Sequence, residues 1–367
     1  MAEIQTINIG SSANDGTGDT IRAGMDKVND NFANFKIEGT NFTGSILIGH
    51  STTGTLSSAS NNTGVGIAAL DAITSADRNT AVGSSAATAI TTGSNNVAIG
   101  HEALATEDSG GNNTAIGMQA ANLLNNDDGS NTIIGSTAGA YLTTGYSNTY
   151  IGAFAGQGNS GVPNSTAANV AIGVSALAVE DSNGKNVAVG FRTLMAQNAG
   201  ADGHNVAVGY TAGLAVTTGI ENTIIGSEAG DALTIGNYNV ALGRGALSTS
   251  VDGDYNTAIG YKALEDYEDG DGNGFNTAVG SESMKNATTA EFNTSLGAKT
   301  MDTGVVTGDG NIVIGYEAGR AITSGGNNVL IGRQAGNALT TGASNVAIGR
   351  YALEDENGDG RNVAIGH

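Results

Sequence analysis

A five-residue phrase dominates this chain and limits what it can fold into. In the form Asn-Val-Ala-Ile-Gly it stands at residues 345–349, and with small changes it occurs 18 times between Asn62 and Gly366. Twelve of the 17 intervals between successive copies are 17 residues long, and the others are 18 to 21 residues long. A period this regular indicates a repeat protein in which each copy forms one coil that stacks on its neighbours.

The composition favours thin coils over a large globular core. The 367 residues include 58 Gly but only one Pro and no Trp, and 5% of them are aromatic. Because each phrase reads as a short strand closed by Gly, the sequence predicts an all-β fold, a parallel β-roll or β-solenoid with coils of about 17 residues. The predicted array spans residues 45–367, since Ser45-Ile-Leu-Ile-Gly49 lies 17 residues before the first Asn and keeps the pattern with Ser in place of Asn.

Each position of the phrase has an expected role. The fourth residue is Val, Ile or Leu in every copy, so we expect it to point inward together with the second residue, while the third, mostly Ala, points outward. The Asn side chains of stacked coils can form a hydrogen-bonded ladder, or Asn can instead adopt the left-handed region at a turn. The closing Gly fits a positive φ or a crowded backbone. Representative residues are Asn96, Ile99, Gly100, Asn345, Ile348 and Gly349.

The second half of the coil comes in two kinds. A small residue lies three positions after the phrase Gly, and the next residue is Leu or Met in one kind, as at Leu104, and Gly or Ala in the other, as at Gly139. Coils of the second kind often carry an aliphatic residue three positions later. We therefore expect both kinds to supply one aliphatic side chain to the core.

The first 37 residues are predicted to form a separate segment, followed by a linker at residues 38–44. Residues 6–10 read as a short strand, and a helix begins at residue 19 or 20. Apolar residues on this helix recur at intervals of 4, 3, 4 and 3, which is a heptad seam. The seam favours partner helices or a groove on another protein, although so short a helix can also fold back on its own chain.

Residues 7–35, INIGSSANDGTGDTIRAGMDKVNDNFANF, resemble the N-terminal segment of baseplate and fibre proteins of contractile-tailed bacteriophages. The shared motifs are Ile-Asn-Ile-Gly, Asp-Gly-Thr-Gly-Asp and Lys-Val-Asn-x-Asn-Phe. In that family the segment opens a trimeric virion protein and lies at its attachment end. The resemblance thus implies virion attachment and trimerisation through Ile7, Ile9, Asp19, Ile21, Met25, Lys27, Val28, Asn29, Asn31, Phe32 and Phe35.

The phrase, with the Ala three residues beyond it, resembles the repeat in the collagen-binding head of trimeric autotransporter adhesins of the YadA type. The resemblance covers residues 45–367 and implies a left-handed parallel β-roll and a homotrimer. The chain departs from that family because its coils are longer, and because no neck, coiled-coil stalk or outer-membrane barrel follows the repeats.

Charge and hydropathy exclude several partners. The formal net charge of −21, from 35 acidic and 14 basic residues, repels nucleic acid and anionic lipid. No basic-then-apolar leader and no run of 18 apolar residues occurs, so we expect neither a secretory signal nor membrane insertion. Without Cys, the chain has no disulfide and no thiolate metal site.

Two acidic turns resemble the start of an EF-hand loop, with oxygen ligands at alternate positions before Gly. The acid that would complete such a loop is replaced by Gly280 in one turn and Gly366 in the other, so a complete EF-hand is excluded. A looser Ca²⁺ site and a solvated acidic turn both stay open, and we expect no other cofactor. The candidate ligands are Asp269, Asp271, Asn273, Asp355, Asn357 and Asp359.

The sequence gives little support to an enzyme. No Ser-His-Asp set and no phosphate-binding loop can be assembled from it. Paired carboxylates in the acidic turns could cleave polysaccharide, but no aromatic platforms for stacking a sugar are apparent. We therefore expect that the chain is not an enzyme.

These observations predict a structural virion protein, a trimeric tail-fibre-like or baseplate appendage. It would dock by its N-terminus on a baseplate or tail protein and project a stiff β-roll towards a host-surface receptor. The alternatives are a bacterial surface adhesin or extracellular filament, and a polysaccharide-cleaving fibre. Because a repeat array needs a polar cap, we also expect a capping protein at the C-terminal end, or a chaperone domain that has been removed from it.

Overall fold

A computed structural model of the chain describes residues 35–39, 42–49, 56–180, 184–267, 273–358 and 360–367. These residues form β-strands and turns, and none of them lies in a helix. The chain divides into two compact units, residues 1–146 and 147–367. Each unit is a parallel β-solenoid with one short strand per coil, which confirms the predicted fold class.

The first unit opens with an antiparallel hairpin between β1 (Phe35–Gly39) and β2 (Phe42–Ile48). Phe35 therefore lies in a strand, not at the end of the predicted helix, and the predicted linker at 38–44 overlaps both strands. The physical reason is that β2 carries the first phrase, and β1 supplies backbone partners to it at the start of the stack. Residues 1–34, with the other predicted attachment residues, lie outside the described part of the chain.

After the hairpin the first unit is built from parallel strands. β2 pairs in register with the strand of the first Asn phrase, Ile46 opposite Thr63, so the copy with Ser forms a true coil as predicted. The remaining strands of this unit are β3 (Ala59–Ser60), β4 (Thr63–Val65), β5 (Thr80–Val82), β6 (Val97–Ile99), β7 (Thr114–Ile116) and β8 (Thr132–Ile134).

The second unit continues the same pattern. Equivalent residues stand opposite one another between successive strands even where the coil is longest, as for Ile151 and Ile172, so the extra residues lie in the turns. Its strands are β9 (Thr149–Ile151), β10 (Val170–Ile172), β11 (Val187–Val189), β12 (Val206–Val208), β13 (Thr223–Ile225), β14 (Val240–Leu242), β15 (Thr257–Ile259), β16 (Thr277–Val279), β17 (Thr294–Leu296), β18 (Ile312–Ile314), β19 (Val329–Ile331), β20 (Val346–Ile348) and β21 (Val363–Ile365).

The strands face the opposite way from the prediction. The third residue of the phrase is buried, as at Ala98 and Ala347, whereas the fourth residues Ile99 and Ile348 are each 37% exposed. The reason is the thinness of the coil, in which the second half-coil lies directly under the strand. A small third residue fits there, so the larger β-branched residues are turned outward.

Core volume is shared between the third residue of the phrase and the ninth residue of the coil, counted from Asn. In the coil of Asn96, Ala98 accompanies Leu104, and both are fully buried. In the coil of Asn148, buried Tyr150 accompanies Gly156, and a Cβ on Gly156 would collide with the Tyr150 ring. Gly156 has a φ of 54° and Leu104 a φ of 53°, so both coil kinds use one backbone conformation. The two predicted kinds are thus two ways of filling one space.

The predicted Asn ladder is present, with a bonding pattern of its own. The backbone N–H of Asn239 donates to Oδ1 of Asn222 (2.9 Å), and Nδ2 of Asn222 donates to the carbonyl of Gly236 in its own coil (2.8 Å). The phrase Asn residues from Asn62 to Asn345 are buried, and their φ values are not positive, which removes the alternative of a left-handed Asn. In the first coil, Oγ of Ser45 accepts the same bond from Asn62 N–H (2.8 Å).

Both properties predicted for the phrase Gly, a positive φ and a crowded backbone, are confirmed. Gly100 has a φ of 137°, and a Cβ there would collide with the carbonyl oxygen of Gly117 in the next coil. A side chain is therefore excluded by backbone conformation and by stacking distance together.

Candidate binding surface

Within each unit, the second and fourth residues of the phrases form one side of the paired strands, which we call the outward face. All 18 second residues are Thr, Val or Ile, and all 18 fourth residues are Val, Ile or Leu, so this face carries no charge. Val65, Val82 and Ile99 are each 37% exposed. An uncharged apolar face of this kind is typical of an interaction surface.

Aromatic side chains extend this face beyond the phrase Gly. The residue that follows the Gly is an exposed aromatic in four coils, at Phe191, Tyr210, Tyr261 and Tyr316. The rings of Phe191 and Tyr210 stack with their centroids 5.5 Å apart. The outward face is therefore bordered on this side by aromatic rings in these four coils, and by Arg244, Arg333 and Arg350 in three others.

The opposite border carries a longer aromatic stack. We call the residues that directly precede each phrase Asn the edge column. In four successive coils these residues are Tyr238, Tyr255, Phe275 and Phe292, with successive ring centroids 4.8, 4.9 and 5.6 Å apart and interplanar angles of 7°, 12° and 11°. Such offset stacks add to the burial energy of the rings. All four rings are exposed, so the stack forms an apolar stripe along the edge.

Backbone hydrogen bonds fix the register of the edge column. The N–H of Tyr255 donates to the carbonyl of Asn237 (3.0 Å), and the N–H of Phe292 donates to that of Gly274 (2.9 Å). The same bond joins Gly310 to Glu291 (3.0 Å). Residues of the column adopt the left-handed conformation whether or not they are Gly, as at Tyr255 with a φ of 55°. Each ring is thus held directly below the ring of the coil before it.

Carboxylates accompany the stack on its polar side. Oδ1 of Asp254 accepts a hydrogen bond from Asn237 N–H (2.6 Å), and Oδ1 of Asp309 accepts one from Glu291 N–H (2.9 Å). At the start of the stack, the negative charge of Glu221 is the largest influence that raises the pKa of the Tyr238 hydroxyl. The stripe therefore combines ring edges with acceptor oxygens.

Two acidic side chains lie inside the coils instead. Glu107 is fully buried, and its two carboxylate oxygens accept hydrogen bonds from the N–H groups of Gly110 (2.6 Å) and Asn126 (3.3 Å). Burial raises its pKa, while those hydrogen bonds work in the opposite direction. Glu180 is buried likewise, and its Oε2 accepts from Nδ2 of Asn186 (3.4 Å). Both carboxylates replace core aliphatics, and Glu107 accepts from backbone N–H groups whereas Glu180 accepts from a side-chain amide.

The candidate Ca²⁺ ligands are only partly placed. Asp269, Asp271 and Asp359 lie outside the described residues, and Asn273 forms a parallel bridge with Asp254. Asp355 and Asn357 are exposed, and the carbonyl of Asn357 accepts from Thr340 N–H (3.0 Å). Within the described ranges, no three His, Asp or Glu side chains come together in a way that could hold a metal ion.

The aromatic stripe is the feature that sequence reasoning missed. Its members stand 17 to 20 residues apart and look scattered along the chain. The sequence analysis found no aromatic platform for a sugar, and it did not foresee that four exposed rings stack on one another in the edge column. The signal that reveals it is an aromatic residue directly before Asn in four successive phrases. Because successive coils stack, residues that are one repeat apart in the sequence become neighbours in the structure.

Comparison of the chain with protein-family models, with curated proteins and with solved structures finds no match in any of the three. In the described part of the chain, no helix has the length and apolar character needed to cross a membrane.

Proposed function

We propose that this chain is a structural virion protein, an appendage of a phage tail or baseplate that acts as a homotrimer and adheres to the host surface. The N-terminal segment docks on the particle, and the β-solenoid presents its exposed edges to the host. This assignment takes its virion context from the resemblance of residues 7–35 to phage fibre and baseplate segments.

The observation that carries the proposal is the outward face. In a single chain it leaves uncharged aliphatic side chains about one third exposed in coil after coil, as at Ile99, Ile172 and Ile348. Monomeric soluble proteins rarely expose contiguous apolar surface of this extent, whereas burying it between copies stabilises an oligomer. A trimer that joins these faces at its centre leaves the turns and edges available for contact with a host.

The bonding within each unit suits a mechanical role. Each strand exchanges backbone hydrogen bonds with the strands of both neighbouring coils, as β14 does with β13 and β15. The Asn side chains add a second, buried row of bonds parallel to the first. A solenoid held in this way resists bending without a wide core.

The virion assignment is tested by mass spectrometry of purified particles of the phage that encodes the chain. We expect the chain among the tail or baseplate proteins, and its absence from purified particles would contradict the proposal. Fractionation of infected and uninfected cells is the companion experiment. Recovery in the cell envelope rather than in particles would favour the bacterial surface adhesin.

The trimer is tested by light scattering on the purified full-length chain. We expect a mass three times that of the chain, and a single-chain mass would contradict the proposal. The variant Ile172→Lys places a charge on the outward face and is expected to weaken the trimer. Val251→Lys is its matched control, because Val251 is 39% exposed, Ile172 is 36% exposed, and Val251 lies in a turn away from the strands.

A further inference from the structure

The aromatic stripe ends at a residue without a side chain. Following Phe292, the next member of the edge column is Gly310, and the one after it is Asn327. The N–H of Gly310 donates to the carbonyl of Glu291 (3.0 Å), and the N–H of Asn327 donates to that of Asp309 (2.8 Å), so both residues keep the register of the column. The column therefore lacks a side chain at one place, which we call the Gly310 gap, and the side-chain amide of Asn327 reaches towards it from the next coil.

The Gly310 gap is as thick as one ring. Coils stack at about 4.8 Å, so Phe292 and Asn327 are separated by about two such steps. Elsewhere in the same column the middle place of three is filled by Phe275, whose centroid lies 4.9 Å from that of Tyr255 and 5.6 Å from that of Phe292. One face of the Phe292 ring packs on Phe275, and its other face is directed to the gap.

Exposure confirms that the place is open. Phe292 is 57% exposed, the highest value of the four stacked rings. The strands beside the gap are β17 and β18, and their first residues, Thr294 and Ile312, are exposed. The first residues of β13 to β16 and of β19 and β20 are half-buried. The absence of a side chain at Gly310 thus leaves one face of the Phe292 ring and the adjoining strands exposed.

The walls of the gap have mixed chemistry. The face of Phe292 is apolar and carries the negative part of the ring quadrupole, which attracts polarised C–H groups. The opposite wall is the amide of Asn327, whose Oδ1 lies 2.9 Å from the position that a Cβ on Gly310 would take. The carboxylate of Asp309, the residue before Gly310, accepts a hydrogen bond from the N–H of Glu291 (2.9 Å), and an amide together with a carboxylate can bond several hydroxyl groups.

We propose that the Gly310 gap binds one neutral pyranose ring of a surface polysaccharide. A pyranose is a ring of suitable thickness, has C–H groups on one face for Phe292, and has hydroxyl groups for Asn327 and Asp309. A nucleotide or other anionic ring is disfavoured by the local carboxylates and by the net charge of −21. The inference deepens the proposed adhesive function, on which it rests, by naming the chemical class of the receptor.

The test is ligand-observed NMR and titration calorimetry on the purified full-length chain with a panel of methyl hexopyranosides and N-acetylhexosamines. We expect at least one of them to bind with a dissociation constant on the order of 1 mM, as a single exposed platform allows. Phe292→Ala removes the platform and is expected to weaken binding by about tenfold. Gly310→Phe fills the gap and is expected to abolish binding.

The variants are chosen so that folding does not confuse the result. Phe292 already adopts a φ of 59° in this column and Gly310 a φ of 67°, so Phe is compatible with the backbone there. Ala168→Phe is the matched control, because Ala168 belongs to the same column at a φ of 56° but does not border the gap. It is expected to bind sugar as the wild type does. Circular dichroism and thermal melting verify the fold of each variant.

Three outcomes would overturn the inference. Either no pyranoside binds, or Gly310→Phe binds a pyranoside as well as the wild type does, or a parallel titration with aromatic solutes shows that phenol binds and the pyranosides do not. The assay uses the isolated chain and so does not depend on the virion. A chain that is absent from particles yet binds pyranosides in the gap would contradict only the virion assignment. A chain that is present in particles but binds no sugar would contradict only the gap.

Discussion

The buried and outward faces of the same three-residue strands obey different rules. On the buried face the third residue varies from Ala to Ile, Leu and Tyr, and each enlargement is accompanied by a loss elsewhere, as Gly156 accompanies Tyr150. On the outward face the residues change little, although many of them are about one third exposed. The interior thus preserves a volume, whereas the exterior preserves a type of side chain, as the proposed trimer would require.

The strongest test of the interior rule is Gly156→Leu. The new side chain would collide with the ring of Tyr150, so we expect a loss of about 3 kcal/mol or more in the free energy of unfolding. The double variant Tyr150→Ala with Gly156→Leu recreates the Ala98 and Leu104 arrangement and should recover most of that loss. Hydrogen exchange of the amides in β9, together with urea unfolding, measures both effects.

Gly161→Leu is the control for this pair. Gly161 also has a positive φ, of 81°, but no atom lies within 4 Å of its would-be Cβ. It is therefore expected to cost only the backbone strain, about 1 kcal/mol. If Gly156→Leu cost no more than Gly161→Leu, the volume rule would be wrong.

The buried ladder is tested by Asn222→Ala. This change removes the acceptor for Asn239 N–H and the donor to the Gly236 carbonyl, so we expect a loss of about 2 kcal/mol in the free energy of unfolding. Asn222→Ser keeps an oxygen in the position where Ser45 serves Asn62 and should lose less. Equal stability of Asn222→Ala and wild type by urea unfolding would show that the ladder contributes nothing.

Glu107 tests what happens when the interior receives a charge. Because its pKa in the folded state is raised, the folded chain binds more protons than the unfolded chain between the ordinary Glu pKa and that raised value. The free energy of unfolding therefore falls as pH rises through this window. Glu107→Gln keeps an acceptor for Gly110 N–H and removes the dependence, so its free energy of unfolding should rise relative to that of the wild type as pH increases from the ordinary Glu pKa upward.

The measurement is urea unfolding of both chains over a pH series. Glu228→Gln, at an ion pair with Arg244 on the surface, is the control for the loss of one negative charge. A pH profile of Glu107→Gln that is parallel to wild type would contradict the prediction.

The smallest effect is expected on the outward face. Thr257→Val exchanges two residues that both occur at the second position of the phrase, and we expect a change within about 0.5 kcal/mol. Ala258→Val, one residue further along, enters the space above buried Leu264 and should cost about 1 to 3 kcal/mol. Thermal unfolding of the two variants compares the faces directly. If Thr257→Val cost more stability than Ala258→Val, the second and fourth residues of the phrase would have to face the core.

The sequence was sufficient for the coil and its boundaries, because a fixed period leaves little freedom in how copies stack. It offered the Asn ladder as one of two alternatives, and the structure decided between them. The sequence was insufficient for the direction of the strands. Ala98 and Ile99 are both apolar, so alternation alone leaves two orientations, and choosing the larger residue for the core ignores how thin the coil is. Packing against Leu104, which follows from the fold and not from the pattern, decides between them.

The candidate site was less accessible to sequence reasoning. Tyr238 and Phe292 can be recognised as parts of one surface only when the coils are aligned on their phrases, because turns of different length separate them in the sequence. The left-handed conformation of residues such as Tyr255 has no sequence signature either, because non-Gly residues seldom adopt it. The metal candidates stay a prediction, because Asp355 and Asn357 belong to a motif whose third member, Asp359, lies outside the described residues.

The Asn ladder also bears on how such a chain changes over generations. Each Asn bonds within its own coil and to the coils directly before and after it, so deletion of residues 239–255 would bring Asn256 onto Asn222 and leave the bonds of the other coils in place. Whole coils can therefore be duplicated or lost through recombination between similar stretches of the gene. Such events are restricted only where packing crosses coils, as at Gly213, whose space is taken by Leu194 and Ile224 of the adjoining coils.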